Sequence, residues 1–359
     1  MDSILEVAIL AGTISSGIAF VLTPVVIRIA KKIGIVDDPR LKTHPKVIHT
    51  YPVPRGGGIA IFAALLVSSL IFLDIDKHLL GILLGGLFIV FIGIIDDKYD
   101  LNPYLRLFMQ FVAAAIPIAS GIGISFITNP ISGGIIDLSH PRISFDVFGE
   151  IRTIWILSDI FALFWIVTLM NFLNMGAKGI DGQLPGVVSI AALTIAVLSL
   201  KFSADITQWP VIALAAITSG AYLGFLPWNL YPQKIMPSFS GSVLAGYLLA
   251  ILAILSTAKV GTLVVALGVP IIDTGYTIAR RIISGKSPVW GDTGHLHHRL
   301  LNAGLTKRQI ALFYWLTTAF LGILALNLKS TFKLYTIVGT AAFVGGLILW
   351  LTYRKSPRS

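Results

Sequence analysis

The chain is 359 residues long, with 55% hydrophobic and 12% charged positions, about half the charged share of a soluble protein. Its apolar residues gather into runs of about 17–25, the length that crosses a bilayer as helix, so water-soluble multidomain folds are excluded. A net charge of +10 comes with no aromatic–basic nucleic-acid motif, and inner loops give a membrane protein such an excess. No nucleic acid partner is expected. The absence of cysteine excludes disulfides, thiolate metal sites and cysteine nucleophiles.

Eleven spans are predicted, at roughly 5–27, 57–73, 78–95, 104–127, 153–173, 184–203, 209–226, 240–257, 261–279, 309–328 and 332–353. Asp2 and Glu6 stand where a leader would carry basic residues, so the first run is expected to be a retained helix. Segment 28–56 holds Arg28, Lys31, Lys32, Arg40, Lys42, Lys46 and Arg55, which assigns it to the inner side. Alternation from there places 20 of the 27 basic residues inside, including Arg354, Lys355 and Arg358, and 7 outside, including Arg152 and Lys259. The expected fold is an all-α polytopic integral membrane protein with its N-terminus outside and its C-terminus cytoplasmic. The long outer loop 128–152 alternates apolar and polar residues between Gly133-Gly134 and Gly149, a pattern for one small hairpin. No internal repeat or linker divides residues 1–359, which are expected to form a single membrane domain.

Four inner segments carry unusual polar groups. The first, Gly93-Ile94-Ile95-Asp96-Asp97-Lys98, ends the third span. Adjacent carboxylates at a bilayer edge suit a metal–phosphate site or a general base; a solvated helix end is the other reading. Arg106 follows, with a side chain shaped to grip phosphate, and Gln110 lies one turn further in. The second segment is Asn171-Phe172-Leu173-Asn174-Met175-Gly176-Ala177-Lys178-Gly179-Ile180-Asp181-Gly182. Its two asparagines share a helical face and need partners inside an apolar span, while the glycines free backbone N–H groups for an anion.

The third segment runs from Gly224-Phe225-Leu226-Pro227-Trp228-Asn229 to Ser238-Phe239-Ser240-Gly241-Ser242. Ser240-Gly241-Ser242 opens a span, either as a phosphate-binding helix start or as an ordinary serine cap. The fourth, Gly291-Asp292-Thr293-Gly294-His295-Leu296-His297-His298-Arg299, concentrates three of the seven histidines. Zinc is one reading, but no second cluster completes a tetrahedral set; donors to a pyrophosphate fit the surroundings better. Asp273, alone within the ninth span, is expected to pair with a cation on its own or a neighbouring helix in a structural role. Together the four segments describe an inner pocket for an anionic lipid headgroup and a polyphosphate.

The ordered set Arg55-Gly56-Gly57-Gly58, Gly93-x-x-Asp96-Asp97 with Arg106 and Gln110, Asn171-x-x-Asn174 before Gly179-Ile180-Asp181-Gly182, Gly224-Phe225-Leu226-x-x-Asn229, and His295-Leu296-His297-His298-Arg299 resembles the polyprenyl-phosphate N-acetylhexosamine-1-phosphate transferases. These include the bacterial undecaprenyl-phosphate GlcNAc-1-phosphate transferases and the related phospho-MurNAc-pentapeptide translocase. The resemblance covers about residues 20–305. It implies ten or eleven helices in the cell inner membrane and an active site open to the cytoplasm. It also implies magnesium-dependent transfer of a sugar-1-phosphate from a UDP-sugar to polyprenyl phosphate, which releases UMP and starts a cell-surface glycan. Asp96 and Asp97 would be the catalytic pair, with Asp96 the candidate base. Arg106, His295, His297, His298 and Arg299 would hold pyrophosphate and Asp181 would read the uracil. Arg55, Lys178 and Asn229 would also line the substrate site, and Asp97 and Asn174 would approach the metal. The partners implied are the UDP-sugar, the lipid and the membrane, with a homodimer as a candidate assembly.

Two departures stand out. The family usually has Gly-Asp-x-Gly-Ser, with a magnesium-binding Asp, where this chain has Ser238-Phe239-Ser240-Gly241-Ser242. The family's Asp-Gly-x-Asp-Gly loop here lacks its first Asp and is lengthened by one residue, with Ala177-Lys178 filling it. Both changes make the site more positive, which leaves two readings: Lys178 takes over part of the metal's charge, or Lys178 is solvated and magnesium still binds through Asn174 and a remaining carboxylate. Phe239 also leaves a rival reading, a catalytically silent homologue that binds polyprenyl phosphate or nucleotide-sugar. A transporter is a further rival, to which inverted repeats would point.

Overall fold

In the computed structural model, the chain is a bundle of helices that fall on the predicted apolar runs. The structure describes residues 2–40, 49–129, 131–147, 150–256, 260–288 and 294–353. The expectations for Lys42, Lys46, Lys259, Gly291-Asp292-Thr293, Arg354, Lys355 and Arg358 lie outside the described residues. In chain order the helices are α1 (Asp2–Lys32), α2 (Gly57–Phe72), α3 (Lys77–Tyr99), α4 (Pro103–Ala119), α5 (Ile156–Gly176), α6 (Gln183–Leu200), α7 (Gln208–Asn229), α8 (Ser238–Leu255), α9 (Val260–Ala266), α10 (Gly268–Ile283), α11 (Leu296–Asn302), α12 (Lys307–Asn327) and α13 (Ser330–Tyr353). Helix is the form that satisfies every backbone polar group of such apolar segments from within.

Eight of these helices, α1, α3, α5, α6, α7, α8, α12 and α13, are long and apolar enough to cross a membrane among the described residues. The predicted ninth span is broken: α9 and α10 meet at a bend of 83°. Pro270 has no N–H to give the carbonyl of Ala266 and is tolerated in the first turn of a new helix, so the chain restarts there. The other two predicted spans are the shorter apolar helices α2 and α4.

The predicted fourth span stops early, at Ala119, and Gly121 at φ +104° turns the chain away. The single expected hairpin becomes two. Strand β3 (Phe126–Thr128) pairs antiparallel with β4 (Ile135–Asp137), and β5 (Arg142–Val147) with β6 (Glu150–Trp155). Thr153-Ile154-Trp155 continues the strand alternation, which delays α5 to Ile156. A two-residue pair, β1 (Val36–Asp37) with β2 (Val53–Pro54), ties the segment after α1 to the start of α2.

Helix α8 is the centre of the bundle and is buried almost throughout, against α2, α3, α5 and α6. Small residues let its first turn sit deep. A Cβ on Gly58 of α2 or Gly93 of α3 would fall 2.5 or 2.4 Å from the Ser240 side chain. The helix begins at Ser238 rather than Ser240 and has no side-chain cap. Ser240 is therefore a wedge between helices and not their cap. Large apolar side chains such as Phe91, Phe164, Phe320 and Phe343 point outward, as lipid contact requires.

Candidate active site

The predicted inner segments meet at one end of the bundle, held by long-range backbone bonds. Met236 N–H donates to Pro54 O at 2.9 Å and Gly57 N–H to Met236 O at 3.0 Å, locking the loop before α8 onto the start of α2. Gly182 N–H donates to Asn229 Oδ1 at 3.0 Å, joining the loop after α5 to the end of α7. Asn229 also donates from Nδ2 to Gln233 Oε1 and Ile235 O. Its buried amide thus braces two loops, and both of its polar atoms are engaged within the chain.

Asp96 and Asp97 lie buried in the last turn of α3. Arg106 Nε stands 2.6 Å from Asp96 Oδ1, an ion pair by distance although its N–H is not aimed at that oxygen. Leu101 N–H donates to the same oxygen at 3.1 Å, and Arg106 Nη2 donates to Asp100 Oδ1 at 2.6 Å. Asp97 Oδ1 accepts from Phe239 N–H at 3.4 Å, while its Oδ2 is buried with no hydrogen-bond partner. Arg55 donates from Nη1 to the Asp97 carbonyl at 3.4 Å and lies 2.9 Å from Asp37 Oδ1 through Nη2. A buried carboxylate oxygen without a donor is expensive, and in this cationic setting it is the acceptor available to a ligand.

The asparagines divide. Asn171 donates to Gln110 Oε1 at 2.5 Å and Val167 O at 2.8 Å, the partners that an amide inside an apolar helix needs. Asn174 Oδ1 instead accepts from the Lys178 ammonium at 2.7 Å, with Ser242 Oγ of α8 also 2.7 Å away. Withdrawal from water pushes the Lys178 ammonium below its ordinary value, while Asp97 and Asp96 pull it back up.

Asp181 is buried and pairs with Lys307 Nζ at 3.3 Å. Lys307 also sits 5.0 Å over the Tyr231 ring. His295 Nδ1 lies 3.0 Å from Asp273 Oδ2, and Asp273 Oδ1 accepts from Leu296 N–H at 2.7 Å. Asp273 thus has its cationic-type partner, placed just before α11 rather than on a spanning helix. His297 stacks on His295 at 5.5 Å and is tilted against His298 at 4.4 Å. A Cβ on Gly179 would fall 2.0 Å from His297 Nε2, so the absence of a side chain there lets the histidines support the loop that carries Lys178 and Asp181. Arg299 donates from Nε to Gly294 O at 3.0 Å and from Nη1 to Thr352 Oγ1, fastening α11 to α13.

Geometry therefore brings Arg55, Asp96, Asp97, Arg106, Asn174 and Lys178 into one cluster, with Asp181, the histidines and Arg299 around the adjoining loop. Sequence reasoning did not single out Lys307, Asp37 or Asp100 for this site. The charges of Lys307 and Asp37 are visible in the sequence, but no local spacing announces a partner so far away.

Residues 79–257 match the family described as Glycosyl transferase family 4. The probable undecaprenyl-phosphate N-acetylglucosaminyl 1-phosphate transferase of Bacillus subtilis (strain 168) is 33% identical over 319 residues, spanning 86% of this chain and 82% of the relative. The chain belongs to this family. Among its other members, the decaprenyl-phosphate N-acetylglucosaminephosphotransferase of Mycolicibacterium smegmatis is 30% identical over 95% of this chain and 85% of the relative. The undecaprenyl-phosphate alpha-N-acetylglucosaminyl 1-phosphate transferase of Haemophilus influenzae is 29% identical over 92% and 89%.

For this family member, the donor set fits a divalent cation poorly. No three His, Cys, Asp or Glu side chains gather as a metal site among the described residues. Asp96 faces Arg106, Asn174 Oδ1 is flanked by an ammonium and a hydroxyl, and the side chain at 239 is an aromatic ring. Magnesium at phosphate sites takes one or two carboxylates together with phosphate oxygens and waters. Here Asp97 Oδ2 is buried without a hydrogen-bond partner, and Arg55 and Arg106 stand beside the pair.

Proposed function

We propose that this chain transfers a sugar-1-phosphate from a UDP-sugar of the GlcNAc type to polyprenyl phosphate, releasing UMP and starting a cell-surface glycan such as a cell-wall polymer or lipopolysaccharide. The observation that carries this reading is the gathering of Arg55 and Arg106 at the Asp96–Asp97 pair, with Lys178 joined to the same cluster through Asn174 and Ser242, at one end of an apolar bundle. In direct transfer, an oxygen of the lipid phosphate bonds to the β-phosphorus. The bond from that phosphorus to the oxygen shared with the α-phosphate then breaks, and UMP leaves with its electrons. A phosphate monoester has a second pKa near 6, so most of the acceptor arrives as a dianion and the base has little to do. Bringing two anions together is the greater barrier, and preorganised cations lower it.

In this reading Asp96 accepts the proton of any acceptor still protonated, and Asp97 turns its unpartnered oxygen to the bound ligand. Arg55, Arg106 and Lys178 screen the phosphates, Asp181 with Lys307 faces the uracil, and the histidine-supported loop closes on the pyrophosphate. The eleven-crossing topology, with the N-terminus outside and this site facing the cytoplasm at the inner membrane, is supported by the 20-to-7 distribution of basic residues. The homodimer expectation finds no support in the fold.

The reading is tested by incubating purified protein with sugar-labelled UDP-GlcNAc and polyprenyl phosphate, and measuring labelled lipid and UMP. Wild type is expected to form both. Asp96→Asn and Asp97→Asn, which remove charge but little volume, are expected to lose about 10²–10⁴-fold while staying folded in detergent. Near-normal turnover in both variants would return Asp96-Asp97 to a simple helix end. A folded wild type that binds UDP-GlcNAc without turnover would favour the silent homologue.

A further inference from the structure

We propose that Lys178, which donates to Asn174 in the cluster around the Asp96–Asp97 pair, supplies the positive charge that the family pattern assigns to a divalent cation, so that transfer in this chain needs no bound metal. The inference rests on the transferase reading above and deepens it. It starts from Asn174, the amide expected to approach a metal. The Lys178 ammonium lies 2.7 Å from Asn174 Oδ1 and Ser242 Oγ lies 2.7 Å from the same atom. That hydroxyl is also 2.7 Å from Ser238 O and 3.1 Å from Phe239 O, so its single proton is divided among three acceptors. The amide oxygen is nonetheless enclosed, with an ammonium on one side and an α8 hydroxyl on the other. A cation ligated there would have to displace the ammonium or the hydroxyl.

Phe239 closes the second route. Its backbone N–H donates to Asp97 Oδ1 at 3.4 Å, which places residue 239 directly beside the catalytic pair. Its ring lies 5.6 Å from the Arg106 guanidinium, and an aromatic face attracts such a group without ligating a metal. Where the family pattern has a carboxylate, this chain steadies a second fixed cation. Measured against that pattern, phenylalanine for aspartate and a lysine gained in the lengthened loop raise the local charge by at least two units, the charge of one divalent ion. Lysine brings three donors on a compact point charge, a role it fills in other phosphate sites.

Two measurements on the purified full chain test this. Manganese binding is followed by the electron paramagnetic resonance of free Mn²⁺, with and without UMP, and UMP release is followed in EDTA and in magnesium. Wild type is expected to show no stoichiometric Mn²⁺ site, and UMP release that EDTA leaves unchanged. Lys178→Met should lose about 10²–10³-fold in EDTA, as removal of a single charge-stabilising donor does elsewhere. Phe239→Asp combined with Lys178→Met should acquire one Mn²⁺ per chain. One Mn²⁺ per wild-type chain, or wild-type release abolished by EDTA and restored by magnesium, would overturn the proposal; both readings need no variant to fold. Absence of UMP release under every condition would count against the transferase reading, and the wild-type Mn²⁺ count would still decide the metal question.

Discussion

Lys307 Nζ lies 3.3 Å from Asp181 Oδ1, across 126 residues of sequence, and joins the first turn of α12 to the loop after α5. The Asp181 side chain is 1% exposed and that of Lys307 14%, so Lys307→Ala leaves a carboxylate buried without its partner. Breaking buried pairs costs about 3–5 kcal/mol, and the residual exposure of Lys307 puts this one at the lower end. Thermal unfolding in detergent should show Lys307→Ala well below wild type, with Lys307→Met plus Asp181→Asn recovering most of the difference. The single variant should also raise KM for the UDP-sugar.

Gly179 is expected to tolerate no side chain. Gly179→Ala places a Cβ 2.0 Å from His297 Nε2, an overpacking that costs about 1–3 kcal/mol where neighbours are fixed. It should displace the loop that carries Lys178 and Asp181 and lower kcat. Gly275 is the matched control, because an added Cβ there meets nothing within 4 Å. Gly275→Ala should leave stability unchanged or raise it by about 0.5–1 kcal/mol, the helical preference for alanine. Equal melting temperatures for the two variants would show that the Gly179–His297 contact carries no load.

The helices were legible in the sequence because the signal is local. Eleven apolar runs give eight long helices, one broken span and two short helices. The break at Gly268-Val269-Pro270 was also local, but its apolar flanks made it look continuous. The double hairpin was half legible: Arg142–Val147 and Glu150–Trp155 alternate, but Thr153 to Trp155 are apolar enough to be absorbed into the next span. At the site, Asp96 with Asp97, and Asn174 with Lys178, were each readable from spacing within their own segment. Partners that depend on how helices dock were not. Ser242 against Asn174, Lys307 against Asp181 and His297 beneath Gly179 join residues 68, 126 and 118 positions apart.

His297 gives a pH dependence. Burial, then His298 and His295, push its pKa well below the ordinary histidine value. The unfolded chain therefore takes up this proton before the folded chain does. The sign follows: His297 costs no stability above about pH 6.5, and stability falls as pH drops from there toward the folded value. Melting temperature against pH should decline more steeply below that point in wild type than in His297→Gln, which cannot take up a proton. Parallel curves would show that His297 is not held neutral by the fold.

The topology predicts which surfaces face apart. Ser132, in the β3–β4 turn, and Ser284, after α10, are both exposed. The natural chain has no cysteine, so single cysteines at these positions report alone. A membrane-impermeant thiol reagent should label Ser132→Cys on intact cells and Ser284→Cys only after permeabilisation. Labelling of both from the same side would separate the inner loops from one another and dissolve the proposed site.

In the proposed reaction, phosphorus travels with the sugar. UDP-GlcNAc carrying ³²P at the β-position and ³H in the sugar, incubated with polyprenyl phosphate and the purified chain, measures this directly. Both labels are expected in the lipid product in the ratio of the donor, with unlabelled UMP released in equal amount. Tritium in the lipid with ³²P left in UDP would mean transfer of the sugar alone, and would rule out transfer of a sugar-1-phosphate.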